Sequence, residues 1–187
     1  MKRPRSRGYD WPEAVETSAL LVGLMILVTV LEWLAPFDLR GFGIIPRTPR
    51  GLIGIVLGPL LHLGFGHLFA NAFPLFVLLI LLFSHQEYTP ESTLAWIWLG
   101  SGLGTWLIGR GGAVHIGASS LIYGLVAYLI GAGWWMRSWR SILVALLVLF
   151  FYGGIFFGLL PQRGIVSWEG HLAGAITGVL VARRNHA

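Results

Sequence analysis

From Ser141 to Phe151 the chain reads SILVALLVLFF, with no charged residue and one hydroxyl. Such a run is hard to accommodate in a water-soluble fold of this size. It is one of six. Segments 17–36, 66–84, 92–109, 116–135, 139–160 and 168–183 are each close to the roughly 20 mostly apolar residues that cross a bilayer as a helix. In hydrocarbon every backbone N–H and C=O must be satisfied internally, so these runs are expected to be helical. The composition agrees: 56% of residues are hydrophobic and 11% are charged, against about 25% charged in an average soluble domain. The expected fold is all-α, a polytopic membrane bundle of six transmembrane helices. A basic tail, 1–16, precedes the membrane domain, 17–184, and residues 185–187 form a short C-terminal tail.

Between the first two spans lies GLIGIVLGPLLHLG, 51–64, which is apolar but short and is interrupted by Pro59. It is expected to be a re-entrant or interfacial loop rather than a further span. The apolar run after the basic N-terminus is too long for a signal peptide and lacks a small-x-small cleavage site, so it reads as an uncleaved anchor.

Six spans put both termini on one side. Lys2, Arg3, Arg5, Arg7, Arg137, Arg140, Arg183 and Arg184 then share the side of the N-terminus. Arg40, Arg47, Arg50, Arg110 and Arg163 lie opposite. The bias favours a cytoplasmic N-terminus. The net charge of +5 is spread over tails and loops, which fits topology rather than a nucleic-acid-binding face.

Lipid gives helices no hydrophobic drive to associate, so small residues that allow close backbone approach mark their contacts. Gly170, Gly174 and Gly178 form such a ridge in the last span; Gly117, Gly124 and Gly131 recur at seven-residue spacing in the fourth. These two helices are expected to pack tightly.

Polar residues at membrane depth are costly and are the first functional candidates. They are His62, His67, Asn71, His115, Ser119, Ser120 and His171. Ser119 follows Gly117 and falls in the first turn of its helix, where backbone N–H groups lack helical partners and would stabilise an oxyanion. Ser119 and Ser120 also read as small packing residues. His171 lies in the first turn of the last span, on the glycine face, where the positive helix end favours neutral imidazole. His67 and Asn71, four apart, share one face and are neutral donors. They also read as a buried network that fixes packing. A metal site fits poorly, since no carboxylate and no His-Glu-x-x-His accompany them. With no cysteine in the chain, thiolate ligands and a cysteine nucleophile are excluded. No metal or cofactor is expected. The nearest acids, Glu32 and Glu169, stand beside Trp33 and Trp168 as interfacial residues, which argues against an aspartyl protease.

Taken together, these residues resemble the rhomboid family of intramembrane serine proteases. Gly117-Ala118-Ser119 matches the family's Gly-x-Ser, followed by Tyr123 and Gly124. His67 and Asn71 match its His-x-x-x-Asn, His62 its upstream loop histidine, and His171-Leu172-Ala173-Gly174 its last-helix histidine. The resemblance implies a Ser–His dyad with Ser119 as nucleophile and His171 as base. The Ser119 N–H, His67 and Asn71 would form the oxyanion hole, and Tyr123 would pack on the His171 ring. His62 and Ser120 would lie at the periphery. The implied partners are transmembrane segments of other membrane proteins, in a prokaryotic plasma membrane, cut at a site opening to the outer face. The alternative is an inactive rhomboid-like protein that binds transmembrane clients. Two departures stand out. Ser120 replaces the usual glycine, and the first loop has PRTPRGLIG where many members have a Trp-Arg pair.

Two further expectations concern access. The Gly-rich WLGSGLGTWLIG, 98–109, and the loop 161–168 are candidates to wall or cap an aqueous cavity. A lateral gate is expected between Phe69, Phe73 and Phe76 on one side and Phe150, Phe151, Phe156 and Phe157 on the other; lipid-facing rings are the plain alternative.

Overall fold

A computed structural model describes residues 10–34, 38–162, 164 and 166–187. The basic residues Lys2, Arg3, Arg5 and Arg7, the expected span end at Pro36, and Arg163 lie outside the described residues. Seven helices follow in order: α1 (Trp11–Leu34), α2 (Ile53–Leu57), α3 (Phe65–Phe83), α4 (Pro90–Ile108), α5 (Ser119–Met136), α6 (Trp139–Tyr152) and α7 (Trp168–His186). Among the described residues no strand forms, and an isolated antiparallel bridge joins Ile44 to His115. By length and composition four helices suit a membrane crossing: α1, α3, α5, and α6 with its continuation to Leu159. α4 and α7 have the length but not the apolar composition. Their enclosed faces carry Thr93, Ser101, Gly102 and Thr105, and Gly170, His171, Gly174 and Gly178.

α1 begins six residues before the expected span. Asp10 and Glu13 cap each other's backbone N–H, at 3.1 and 3.2 Å, in a reciprocal capping box. α7 runs through Asn185 and His186 instead of ending at Arg183. Asn185 donates to Thr89 and Thr93, and His186 Nε2 is 2.9 Å from the Tyr128 hydroxyl. The fifth span changes character at Gly153-Gly154, where α6 tightens into a 3₁₀ turn, Gly153–Leu159.

α5 is the central helix, and its contact with α7 is the most extensive in the molecule. The glycine ridges account for it. A Cβ on Gly174 would stand 2.0 Å from the Ser120 carbonyl oxygen, and one on Gly178 equally close to that of Gly124. The two backbones therefore touch. Gly178→Ala must push the helices apart, at a cost of about 1–3 kcal/mol; thermal unfolding in detergent should show the loss.

The glycines of α4 serve packing rather than a cavity wall. Gly100 and Gly104 face Thr177 and Ala173 of α7, and Gly102 faces Ile55 of α2. Backbone proximity, not access, is what those positions need. Segment 51–64 folds as three short turns, Arg50–Leu52, α2 and Gly58–Leu60. It is stapled to α4 without a Trp-Arg pair. Trp98 and Trp106 donate from Nε1 to Val56 O and Thr48 O at 3.2 and 2.9 Å. Arg47 donates to Leu107 O and Gly109 O at 2.9 and 2.8 Å.

Candidate active site

Ser119 is the first residue of α5, so its N–H belongs to the unpaired first turn. The chain reaches it through Gly117, whose φ of +103° lies where a side chain is strained. Gly117 N–H donates to Gly58 O at 2.9 Å, and the His67 ring sits 2.6 Å from where a Cβ would be. One glycine thus turns the chain into α5 and leaves room for a histidine from α3.

His171 occupies the first turn of α7, capped by Ser167. Its Nε2 is 3.0 Å from Ser119 Oγ, and its Nδ1 is 3.0 Å from Gly158 O. A carbonyl only accepts, so Nδ1 carries the proton and Nε2 presents a lone pair to the serine hydroxyl. The Tyr123 ring stacks on the imidazole, centroids 4.0 Å apart and planes within 9°. The Tyr123 hydroxyl donates to Ile155 O at 2.7 Å. Both carbonyls come from the 3₁₀ turn after α6. A Cβ on Gly158 would collide with the Tyr123 hydroxyl, so only glycine fits there.

His67 accepts from Leu63 N–H through Nδ1 at 3.3 Å, which leaves Nε2–H as a donor. Asn71 Nδ2 donates to His67 O at 2.8 Å and retains a second N–H. His67, Asn71, Ser119, Tyr123 and His171 all line one cavity of about 970 Å³. Gly164, Val166 and Ser167 of the loop before α7 also line it, whereas α4 does not.

His62 lies behind this cavity rather than on its wall. It is 1% exposed and packs edge-on to His67, centroids 5.1 Å apart. Burial, with His67 alongside, pushes its imidazole down to about 4, so it stays neutral. Ser120 does not line this cavity; it lines a void of about 20 Å³ with Thr105 and His115, which Ser119 also borders. Glu169 is enclosed by protein at the start of α7. At 5% exposure it is buried, with Oε1 3.8 Å from Arg110 Nε, because the first turn of α7 packs inward.

The expected gate residues Phe69, Phe73, Phe150, Phe151 and Phe157 are exposed. Among the described residues no ring pair joins α3 to α6. A hydrogen bond does link them: the Tyr152 hydroxyl donates to Pro74 O at 3.2 Å. Sequence reasoning missed the Gly158 carbonyl, because a backbone acceptor leaves little trace in side chains. The Gly153-Gly154 pair in an apolar run was the available sign of an altered backbone.

The rhomboid domain family matches residues 49–186. The uncharacterized protein Rv1337 of Mycobacterium tuberculosis is 42% identical to this chain, over 97% of the chain and 77% of the relative. The uncharacterized protein ML1171 of Mycobacterium leprae is 37% identical, over 95% of the chain and 73% of the relative. No solved structure matches. A family match over most of the chain, with four helices suited to a bilayer, makes this an integral membrane protein that belongs to the rhomboid family.

Proposed function

We propose that this protein is an intramembrane serine endopeptidase that cuts other membrane proteins in or beside their transmembrane segments. The observation that carries the reading is the Ser119–His171 contact, with His171 Nδ1 held on a carbonyl so that Nε2 faces the hydroxyl. Ser119 Oγ attacks the scissile carbonyl carbon and passes its proton to His171 Nε2. The Ser119 N–H, His67 Nε2–H and Asn71 amide hold the oxyanion. Collapse expels the amine, which takes the proton from Nε2 and leaves an acyl-serine. Water then attacks that ester, giving a proton to His171, and release of the acid restores the serine. The Gly158 carbonyl holds the base where a soluble protease uses a carboxylate.

In this reading α1 and α3 to α7 all span the membrane, with 51–64 as the re-entrant or interfacial segment. Both termini face the cytoplasm of a prokaryotic cell, and the cavity opens to the outer face. α4 and α7 tolerate their polar content because other helices enclose it. Substrate enters between α3 and α6. Between Trp139 and Leu159 Ser141 and Val148 are the buried residues, and the span packs chiefly on α5, leaving its α3 side lightly held. Tyr152→Phe removes the bond to Pro74 and is expected to raise the cleavage rate of a membrane substrate several-fold, while a small soluble ester reacts unchanged.

The test is the full chain in detergent micelles and in proteoliposomes, treated with a fluorophosphonate and offered a transmembrane substrate. Labelling and cleavage support the reading. Substrate binding without either would make the protein a non-catalytic holder of transmembrane clients. His67→Ala and Asn71→Ala should each lower turnover on the order of 10²–10³-fold with little change in melting temperature.

A further inference from the structure

A second serine–histidine hydrogen bond lies beside the first, and the chemistry above does not use it. His115 Nδ1 is 2.6 Å from Ser167 Oγ. His115 stands four residues before Ser119, and Ser167 stands four before His171. Both pairs therefore span 52 residues. The residue types are exchanged: on the α5 side histidine precedes serine, and on the α7 side serine precedes histidine.

Each partner of this second pair is anchored in turn. The backbone of His115 exchanges two hydrogen bonds with Ile44, at 2.8 and 2.9 Å, and Gly117 N–H is held by Gly58 O. The segment leading to Ser119 is thereby tied to the loop before α3. Ser167 Oγ accepts from Gly170 N–H at 3.2 Å, and Ser167 O accepts from His171 N–H at 3.1 Å. Arg110 donates to Val166 O and faces Glu169, which holds the same turn from another side. His115 is 6% exposed, so water competes little for the bond.

The glycine ridge that joins α5 to α7 begins at Ser120 and Gly174. Beyond it, toward the start of both helices, two side-chain hydrogen bonds join residues 115–119 to residues 167–171 among the described residues, beside the Tyr123–His171 stack. One is the proposed catalytic contact. We propose that the other makes His115 a positioning residue, whose bond to Ser167 sets the alignment of Ser119 with His171. This role rests on the serine-protease reading. Misplacing reacting groups by about 1 Å costs on the order of 10²-fold in rate, and without His115 the reacting pair is the one hydrogen bond left between residues 115–119 and 167–171 among the described residues.

The test uses the full chain with His115→Ala, His115→Asn, Ser167→Ala, Ser167→Thr and the double alanine variant. Measured for each are kcat and KM on one transmembrane substrate, the rate of fluorophosphonate labelling, and the melting temperature. His115→Ala and Ser167→Ala are each expected to lower kcat and labelling about 10- to 100-fold with KM unchanged. The double variant should be no worse than the singles, as for two halves of one contact. Asparagine at 115 offers an amide where Nδ1 stood, and threonine at 167 keeps the hydroxyl, so both should recover most of the rate. Active wild type with an unaltered kcat in His115→Ala overturns the positioning role alone. So does a loss that follows melting temperature and is not restored by His115→Asn. A wild-type protein that neither labels nor cleaves overturns the protease reading and this role with it.

Discussion

Replacing Ser119 by alanine is expected to abolish fluorophosphonate labelling and to lower cleavage by at least about 10⁴-fold, with the fold retained. The hydroxyl contributes one hydrogen bond, to His171 Nε2, and Ser119 opens its helix rather than lying inside it. Removing it leaves no large void and no buried charge. His171→Ala should match that loss, and the double variant should be little worse, because nucleophile and base act as one unit. Ser120→Ala is expected to label and cleave as wild type does, since Ser119 and not Ser120 meets His171 Nε2 and lines the large cavity. Labelling that persists in Ser119→Ala and vanishes in Ser120→Ala would reverse that assignment.

Gly117→Ala should be nearly as damaging, although it removes no reactive group. Two costs coincide at this position. An L-residue at φ +103° is strained by roughly 1–3 kcal/mol. The new methyl group would also overlap the His67 ring, whose nearest atom lies 2.6 Å from the Cβ position. Because the Gly117 N–H is fixed to Gly58 O, the ring must yield, and the donor Nε2–H turns away from the oxyanion. The expected outcome is a fall in turnover of 10²-fold or more, with a melting temperature several degrees lower. In the His67→Ala background, which vacates the ring's place, Gly117→Ala should cost much less. Equal losses in both backgrounds would show that backbone strain alone is responsible.

The helices were legible because hydrocarbon leaves the backbone so few options. Expected spans and observed helices begin and end within a few residues of each other, except at the capped start of α1 and where α6 gives way to a 3₁₀ turn at Gly153. Asp10-Trp-Pro-Glu13 is such a cap, a capping box hidden within a tail read for its charge. The approach of α5 to α7 was legible from glycine spacing alone. His171 could be placed near Ser119 because both open helices whose ridges meet. Other features were harder to see. Gly100 and Gly104 looked like flexible wall material, yet they make room for Thr177 and Ala173. Glu169 looked interfacial, but the turn that presents His171 to the cavity also carries Glu169 inward to Arg110. His115 stood among the polar residues at membrane depth without a partner, since Ser167 is remote in sequence and sits in a loop with no periodic pattern.

The 3₁₀ turn after α6 makes the proposed base hostage to the least buried of the four apolar spans. Gly158 O, which accepts from His171, and Ile155 O, which accepts from Tyr123, both belong to the 3₁₀ turn Gly153–Leu159, in which no residue is buried. Under the proposed entry route, displacing that span far enough to admit a polypeptide would also withdraw these two acceptors. Admission and bond cleavage would then be mutually exclusive in time, like the two positions of an interlock: the imidazole released while the door is open and rearmed when it shuts. A helix that only visits would not be cut, and one that stays through closure would be. Selection would rest on dwell time as much as on sequence. Bilayer thickness and fluidity, which act on that lipid-facing surface, would then tune kcat as well as access.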